Sequence, residues 1–564
     1  MKLINHYFVI ILLPILLILS GCQNKKSKRN SALASIGLLR GELVLCGGEQ
    51  FGEVSFSLSC SEETRETFDL GVSLLHSFEY EEAEKAFVKV MDADPECVMA
   101  YWGVAMSITH SLWLQVDKSY LKKGSELLEI ANKIPAGERE KDYLDAISVY
   151  YKDYETLDKK TRELLYEKKM EAIYKKYNDD KEAAVFYALA LRAAADRSDK
   201  SYSKQKKSGK ILEDLFIEEP NHPGIAHYII HNYDYPELAH LALPTARRYA
   251  SIAPASSHAQ HMPSHIFTRL GLWDESIESN VNSASSAQCY AESSGMEGHW
   301  ANELHAMGYL VYAYLQKGDN KNANEQYQYM KSMYKLYPSN INAIAAPFAA
   351  IPVRMVLENK EWEKAATLEL HDSELDWNQF PWQNSMFHFA RALGAARTND
   401  FVVAENEIEI LKTLKQEILD QGDETKANLV TIKIKMAQAW MHFANENKEQ
   451  ALVLMKAAAD LEDATEKQGV MPAEVIPARE LLADMLLELN SPTEALDMYE
   501  ISLNRNPKRF NSLYGSAIAA KESGNQKKAI MYFKDLLKLT ENTNSDRPEI
   551  IEAKLFVGEK NSQS

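Results

Sequence analysis

The sequence is short of the residues that turn a chain. Glycine (23) and proline (18) both fall below their usual shares of about 7% and 5% across 564 residues. An all-β protein needs frequent turns and a low-complexity chain is rich in both residues, so neither class fits. Positive charge is also in deficit: Lys and Arg number 63 against 81 Asp and Glu, for a net charge of −18. Phosphate-backbone binders concentrate positive charge, so no nucleic-acid partner is expected. There are five cysteines and no CxxC or CxxCH, which removes the motif for thioredoxin-like redox chemistry and for c-type haem attachment. No HExxH, P-loop, nucleophile elbow or GxGxxG stands in a supporting context. No catalytic residues are assigned, and whether the chain is an enzyme stays open. No apolar run reaches the roughly 20 residues that a membrane-spanning helix needs.

The apolar run that does occur is at positions 7–19 (YFVIILLPILLIL), after Lys2. Its length is that of a signal-peptide core. It ends in Leu19-Ser20-Gly21-Cys22, which resembles the bacterial lipobox. That resemblance implies cleavage before Cys22, lipidation of its thiol and, with Gln23 rather than Asp following, an outer-membrane destination. Residues 23–30 (QNKKSKRN) are polar and basic, a tether beside anionic headgroups. The expected location is the cell envelope, lipid-anchored. An oxidising compartment permits disulfides. Cys60 precedes the first clear helix pair and Cys97 follows it, so a Cys60–Cys97 bridge would staple the end of the array. Cys46–Cys60 is the rival pairing, and Cys289 reads as a small buried hydrophobe.

From residue 61 the apolar residues recur at three and four, a helical period. A repeat is present. Gly71, Ala83, Phe87 and Pro95 stand at offsets that Ala483, Ala495, Tyr499 and Pro507 reproduce, and Ala517, Ala529 and Phe533 follow. This resembles the tetratricopeptide repeat, in which small residues sit where helix A crosses helix B, an aromatic fills the gap and proline ends helix B. The pattern is degenerate between 111 and 220, where longer helices are expected at 138–154 and 160–177. The expected fold is all-α: a right-handed superhelical solenoid of tetratricopeptide type with a small irregular N-terminal cap. Its parts are a signal peptide (1–21), tether and cap (22–60), an N-terminal repeat block (61–345), a C-terminal block (346–545) and a capping helix with tail (546–564).

Nine of the fifteen histidines lie between 222 and 305: His222, His227, His231, His240, His258, His261, His265, His299 and His305. An even spread would put about two there. His227 and His231 are four apart, on one helix face. His258, His261 and His265 fall within an arc of about 60°, yet span roughly 10 Å of a straight helix, too far for one ion to take all three. Pro263 lies among them and bends the axis, which reorients His261 against His265. In tetratricopeptide register with Ser264 at the crossing, His258, His261, His265 and Arg269 face the concave groove. By the same register so do His227, His231, His305, His76 and His110. Imidazole is a borderline ligand suited to Zn, Cu, Ni or Fe. The candidate metal ligands are therefore His227, His231, His258, His261, His265 and His305. Glu303, Asp234 or Glu237 are the carboxylates to complete a site, and Met262 or Met307 the soft ligands. Trp102, Tyr187, Arg269 and Glu303, with His76 and His110, are the expected groove lining.

The segments LLHSFEYEEAEKAF, MAYWGVAMS, HPGIAHYIIHNYDYPELA, SSHAQHMPSHIFTRLGLWDESI, LVYAYLQKGD and RNPKRFNSLYGSA together resemble a bacterial family of secreted or lipid-anchored tetratricopeptide proteins with a His-rich central motif, carried here by His222, His227, His231, His258, His261 and His265. The resemblance implies the fold and implies no activity. Three functions compete. The first is a metal-binding groove that also takes a small ligand. The second is a metal-free scaffold for a protein or peptide partner. The third is a glycan- or nutrient-binding lipoprotein.

Overall fold

Short helices that each bury one face must stack to share a core, and the chain does this along its length. The computed structural model describes residues 31–561 except 47, 49, 113–116, 197, 340, 371–374, 467, 468 and 544. The signal-peptide run, Cys22 and the basic tether lie outside the described residues. Helical hairpins follow one another from Arg65–His76 with Tyr80–Ala93 to Phe510–Glu522 with Gln526–Leu539, and Pro548–Asn561 covers the last of them. The fold is an all-α solenoid of tetratricopeptide type. Strand among the described residues is confined to a two-residue parallel pair, His299–Trp300 with Leu336–Tyr337. No helix of the described residues is long and apolar enough to cross a membrane.

The small residues of the repeat serve the packing read from the sequence. A methyl group on Gly71 would sit 2.9 Å from the Phe87 ring, and one on Gly103 2.5 Å from it. Phe87 thus fills the space between two helices that approach closely because both lack a side chain there. Gly515 stands in the same relation to Tyr499. Aspartates cap many of the helices: Asp158 accepts from the Thr161 N–H, Asp180 from Ala183 and Asp400 from Val403. Of the two longer helices expected in the degenerate stretch, Lys159–Lys176 has 18 residues, whereas Glu138–Tyr151 ends before 154 and has 14, the length of Tyr80–Ala93. One large buried cluster runs from Leu33 to Phe267 and a second from Ala346 to Ala553. A smaller one, Ala301 to Ile351, lies between them.

The N-terminal cap is irregular. Beyond a short 3-10 turn (Ser31–Ser35) it forms no strand among its described residues. Its backbone donors are satisfied by carboxylates of the solenoid: Leu39 N–H donates to Glu84, Val44 to Glu82, Phe56 to Asp69 and Ser59 to Glu140. Two disulfides fasten it. Cys60 is bonded to Cys97, and Cys46 to Cys289 across 243 residues. The rival Cys46–Cys60 pairing does not form, and Cys289 is not a free buried hydrophobe. The cap runs along the solenoid far enough for Cys46 to meet the helix Trp273–Ser293, a contact that spacing in the sequence does not reveal.

Candidate metal centre

Three stretches of the solenoid bring the histidines together. Pro223–Tyr233 carries His227 and His231. Pro263 divides the next A helix into Ser257–His261 and Pro263–Arg269, which carry His258, His261 and His265. Ala301–Gln316 carries His305. Each helix start is locally determined. His222 accepts from the Ile225 N–H with Pro223 at the first turn, and Ser256 accepts from Ala259 N–H. Pro263 begins the second segment, where its missing N–H costs nothing.

The rings form two adjacent groups of three. In the first, ligand-capable atoms of His227, His231 and His258 all lie within 4.8 Å of one another. The same holds for His261, His265 and His305. The groups meet at His258 and His261, whose ring centres are 6.4 Å apart. Phe78 walls the first group, edge-on to His227 at 4.4 Å and stacked on His231 and His258. Tyr309 walls the second, stacked on His265 at 4.8 Å and edge-on to His261 at 4.7 Å.

Hydrogen bonds fix which nitrogen of several rings carries a proton. His261 Nδ1 lies 2.7 Å from Asn280 Oδ1, and the Asn280 amide nitrogen donates to the Ser276 carbonyl, which sets its orientation. His265 Nδ1 lies 2.9 Å from Asp234 Oδ2. His227 Nδ1 lies 2.6 Å from the His76 carbonyl oxygen. These oxygens accept, so each Nδ1 donates and each neutral ring keeps its lone pair on Nε2. The His261 and His265 Nε2 atoms then face each other at 3.0 Å. Two lone pairs at that distance repel unless a positive centre lies between them. Burial, with the neighbouring imidazoles next, holds His261 well below the ordinary imidazole pKa. The same causes hold His227, His231 and His258 low. Two nitrogens bound to one tetrahedral ion at 2.0–2.1 Å would be about 3.3 Å apart, close to the spacing seen. His227 and His258 approach through Nε2 at 3.1 Å, and His231 Nε2 is buried with no hydrogen-bond partner.

A third group, His76, Glu182 and His222, has the same residue types and a different character. His76 Nε2 donates to Glu182 Oε2 at 3.0 Å and His222 Nε2 to Oε1 at 2.9 Å. His76 Nδ1 takes the Tyr228 hydroxyl and His222 Nδ1 the Ile225 N–H. Every ring nitrogen is used. Burial raises the Glu182 carboxyl, but the two imidazoles outweigh it and hold it far below the carboxylate range.

The other expected lining residues are dispersed. Trp102 is core, packed on Phe56, Tyr143 and Phe186, because its helix Val98–Thr109 is buried on all sides. The Tyr187 hydroxyl pairs with Glu171 and Lys207 of the flanking helices, away from the histidines. Glu303 accepts from His299, Tyr329 and Gln288, and Glu237 from Tyr202, so neither carboxylate joins the rings. Met262 and Met307 are buried in the apolar clusters. His110 stacks on Tyr80 at 4.4 Å, and burial, with Lys159 next, lowers its pKa to about 4. Arg269 lies beside the second group and donates to Asp234 at 2.9 Å. Asp234, one of three carboxylates expected to complete a site, instead orients His265. The sequence reading missed Asn280, Phe78 and Tyr309. Asn280 carried no signal, since an Asn in a Ser-rich helix reads as surface.

No known family model matches the chain, and no curated protein does. Among solved structures it is similar to yeast Tom70, with a TM-score of 0.35 and 13% identity over 89% of this chain and 96% of that one. Human IFIT1, solved as a dimer with m7Gppp-AAAA, gives a TM-score of 0.32 and 13% identity over 86% and 96%.

Proposed function

We propose that this chain is a cell-envelope solenoid that binds a transition metal through His227, His231, His258, His261, His265 and His305, anchored by lipid on Cys22. The observation that carries the reading is the His261–His265 pair. Both Nδ1 atoms are committed as donors, to Asn280 and Asp234, and both Nε2 atoms converge on one point. Imidazoles held from behind by an amide or carboxylate are the usual support of a metal ligand. Two disulfides agree with an oxidising location. A peptide-capturing groove would present exposed side chains, but His258, His261, His265 and His305 are buried.

Elemental analysis of the untagged mature protein tests the metal reading. At least one equivalent of a first-row metal is expected, with a marked loss in His261→Ala/His265→Ala. Less than one equivalent, unchanged by that double substitution, would discard it. The anchor is tested by the intact mass of detergent-extracted protein, which should carry the lipid increment that Cys22→Ala abolishes.

A further inference from the structure

Charge decides more about this centre than the ligand type does. The six rings supply no anionic ligand, and His227, His261 and His265, with Nδ1 donating to an oxygen, bind through Nε2 as neutral donors. Among the described residues the carboxylate bonded to a ring nitrogen is Asp234, whose charge is already matched by Arg269 through Nε to Oδ1 at 2.9 Å and Nη2 to its backbone carbonyl at 3.1 Å, while Glu79 meets the backbone N–H of His258 rather than its ring. On the other flank Arg192 donates from Nε to the His231 carbonyl at 2.9 Å, adding positive charge. Glu303 and Glu237 are engaged elsewhere, and Glu182 is shared by His76 and His222. The walls, Phe78 and Tyr309, are aromatic and buried.

Moving an ion into such a medium costs energy that grows with the square of its charge. A divalent ion would carry its full charge into this neutral box, whereas a monovalent ion carries a quarter of that penalty. Three nitrogen donors in each group match an ion content with low coordination number. Among first-row ions held by imidazole, the cuprous ion meets both conditions. We infer that each three-imidazole group takes one Cu(I), so that the chain holds two cuprous ions in adjacent sites. This rests on the metal-binding reading above and goes beyond it in naming the ion, its oxidation state and the count.

The test is anaerobic titration of the untagged protein with Cu(I) against a chromogenic cuprous chelator, and in parallel with Zn(II) against a zinc chelator. Two equivalents of Cu(I) are expected, bound more tightly than Zn(II). His261→Ala/His265→Ala and His227→Ala/His258→Ala should each leave one equivalent, with unchanged far-ultraviolet circular dichroism showing that the fold survives. The X-ray absorption edge of the copper-loaded protein should be cuprous. His305→Asp adds one negative charge and should narrow the Cu(I)-to-Zn(II) preference by about tenfold, where His305→Ala should not. Zn(II) held as tightly as Cu(I), a cupric edge, or a single equivalent would overturn this inference while leaving metal binding intact. Failure of every first-row metal to bind would instead sink the metal reading itself.

Discussion

Two buried polar regions of this solenoid solve the same problem in opposite ways. In the C-terminal block, Arg509 is completely buried between Glu358 and Glu480. Its Nε and Nη2 donate to Glu480, its Nη1 and Nη2 to Glu358, and Nη1 also to the Tyr312 hydroxyl, at 2.9–3.1 Å. All five guanidinium N–H groups have an acceptor. Ser512 and Asn511 complete the carboxylates. In the His-rich region the outward nitrogens of His227, His261 and His265 are also satisfied, but their inward ones meet another imidazole. A closed network needs nothing further. An open one has a place for something that is not protein. The His76–Glu182–His222 group shows that histidine count alone does not make the difference, since there a single carboxylate closes the network.

The largest effect should come from breaking the closed region. Arg509→Ala strands two buried carboxylates and should cost about 3–5 kcal/mol in chemical denaturation, with no recovery on adding metal. Next is pH. Burial first, then nearby Glu82 and Glu81, raise Glu79 to about 7, although Ser256 and the His258 N–H pull it down. A carboxyl whose pKa is raised in the folded state is neutral there while it ionises in the unfolded chain. Its stabilising contribution is therefore full below pH 4.5 and lost as pH rises to about 7. Glu79→Gln should remove that loss, worth about 3 kcal/mol between pH 4.5 and 7.5, read as the difference between the two stability–pH curves. Wild type that instead gains relative to Glu79→Gln over that range would contradict the assignment.

In the open region, the effects should depend on metal. At a free metal concentration one hundred times Kd, thermal unfolding should show about 2.7 kcal/mol of added stability for each occupied group. His261→Ala/His265→Ala should lose the part due to the second group. Smallest of all, Asn280→Ala removes the acceptor behind His261, together with the bonds to Ser264 and Ser276, and should weaken metal binding about tenfold beyond any loss of stability in the metal-free protein. Equal destabilisation with and without metal would place Asn280 in the closed class.

The fold was legible because its determinants are local. Gly71 with Phe87, and Gly515 with Tyr499, announce a crossing within a few turns of sequence. The capping aspartates and the helix-initiating Pro223 and Pro263 do the same for boundaries. The histidines were legible as a cluster, and tetratricopeptide register put them on one side. What register did not supply was the support behind each ring. Asn280 and Asp234 meet His261 and His265 across helix packing, and Cys46 meets Cys289 over most of the N-terminal half. Trp102 shows the opposite failure. Its helix is apolar on every face, so a periodic pattern cannot say which side looks into the hollow.

Contacts in a stacked-hairpin array are ordinarily between neighbours, so such molecules flex like a coil, each joint yielding separately. Here rings from helices Pro223–Tyr233, Ser257–His261, Pro263–Arg269 and Ala301–Gln316 meet in two adjacent clusters. Whatever draws those nitrogens inward clamps several consecutive joints at once. The pitch of the superhelix around residues 223–316 would then respond to occupancy as a spring responds to a pin through its middle turns, stiffening the centre while both ends keep their give.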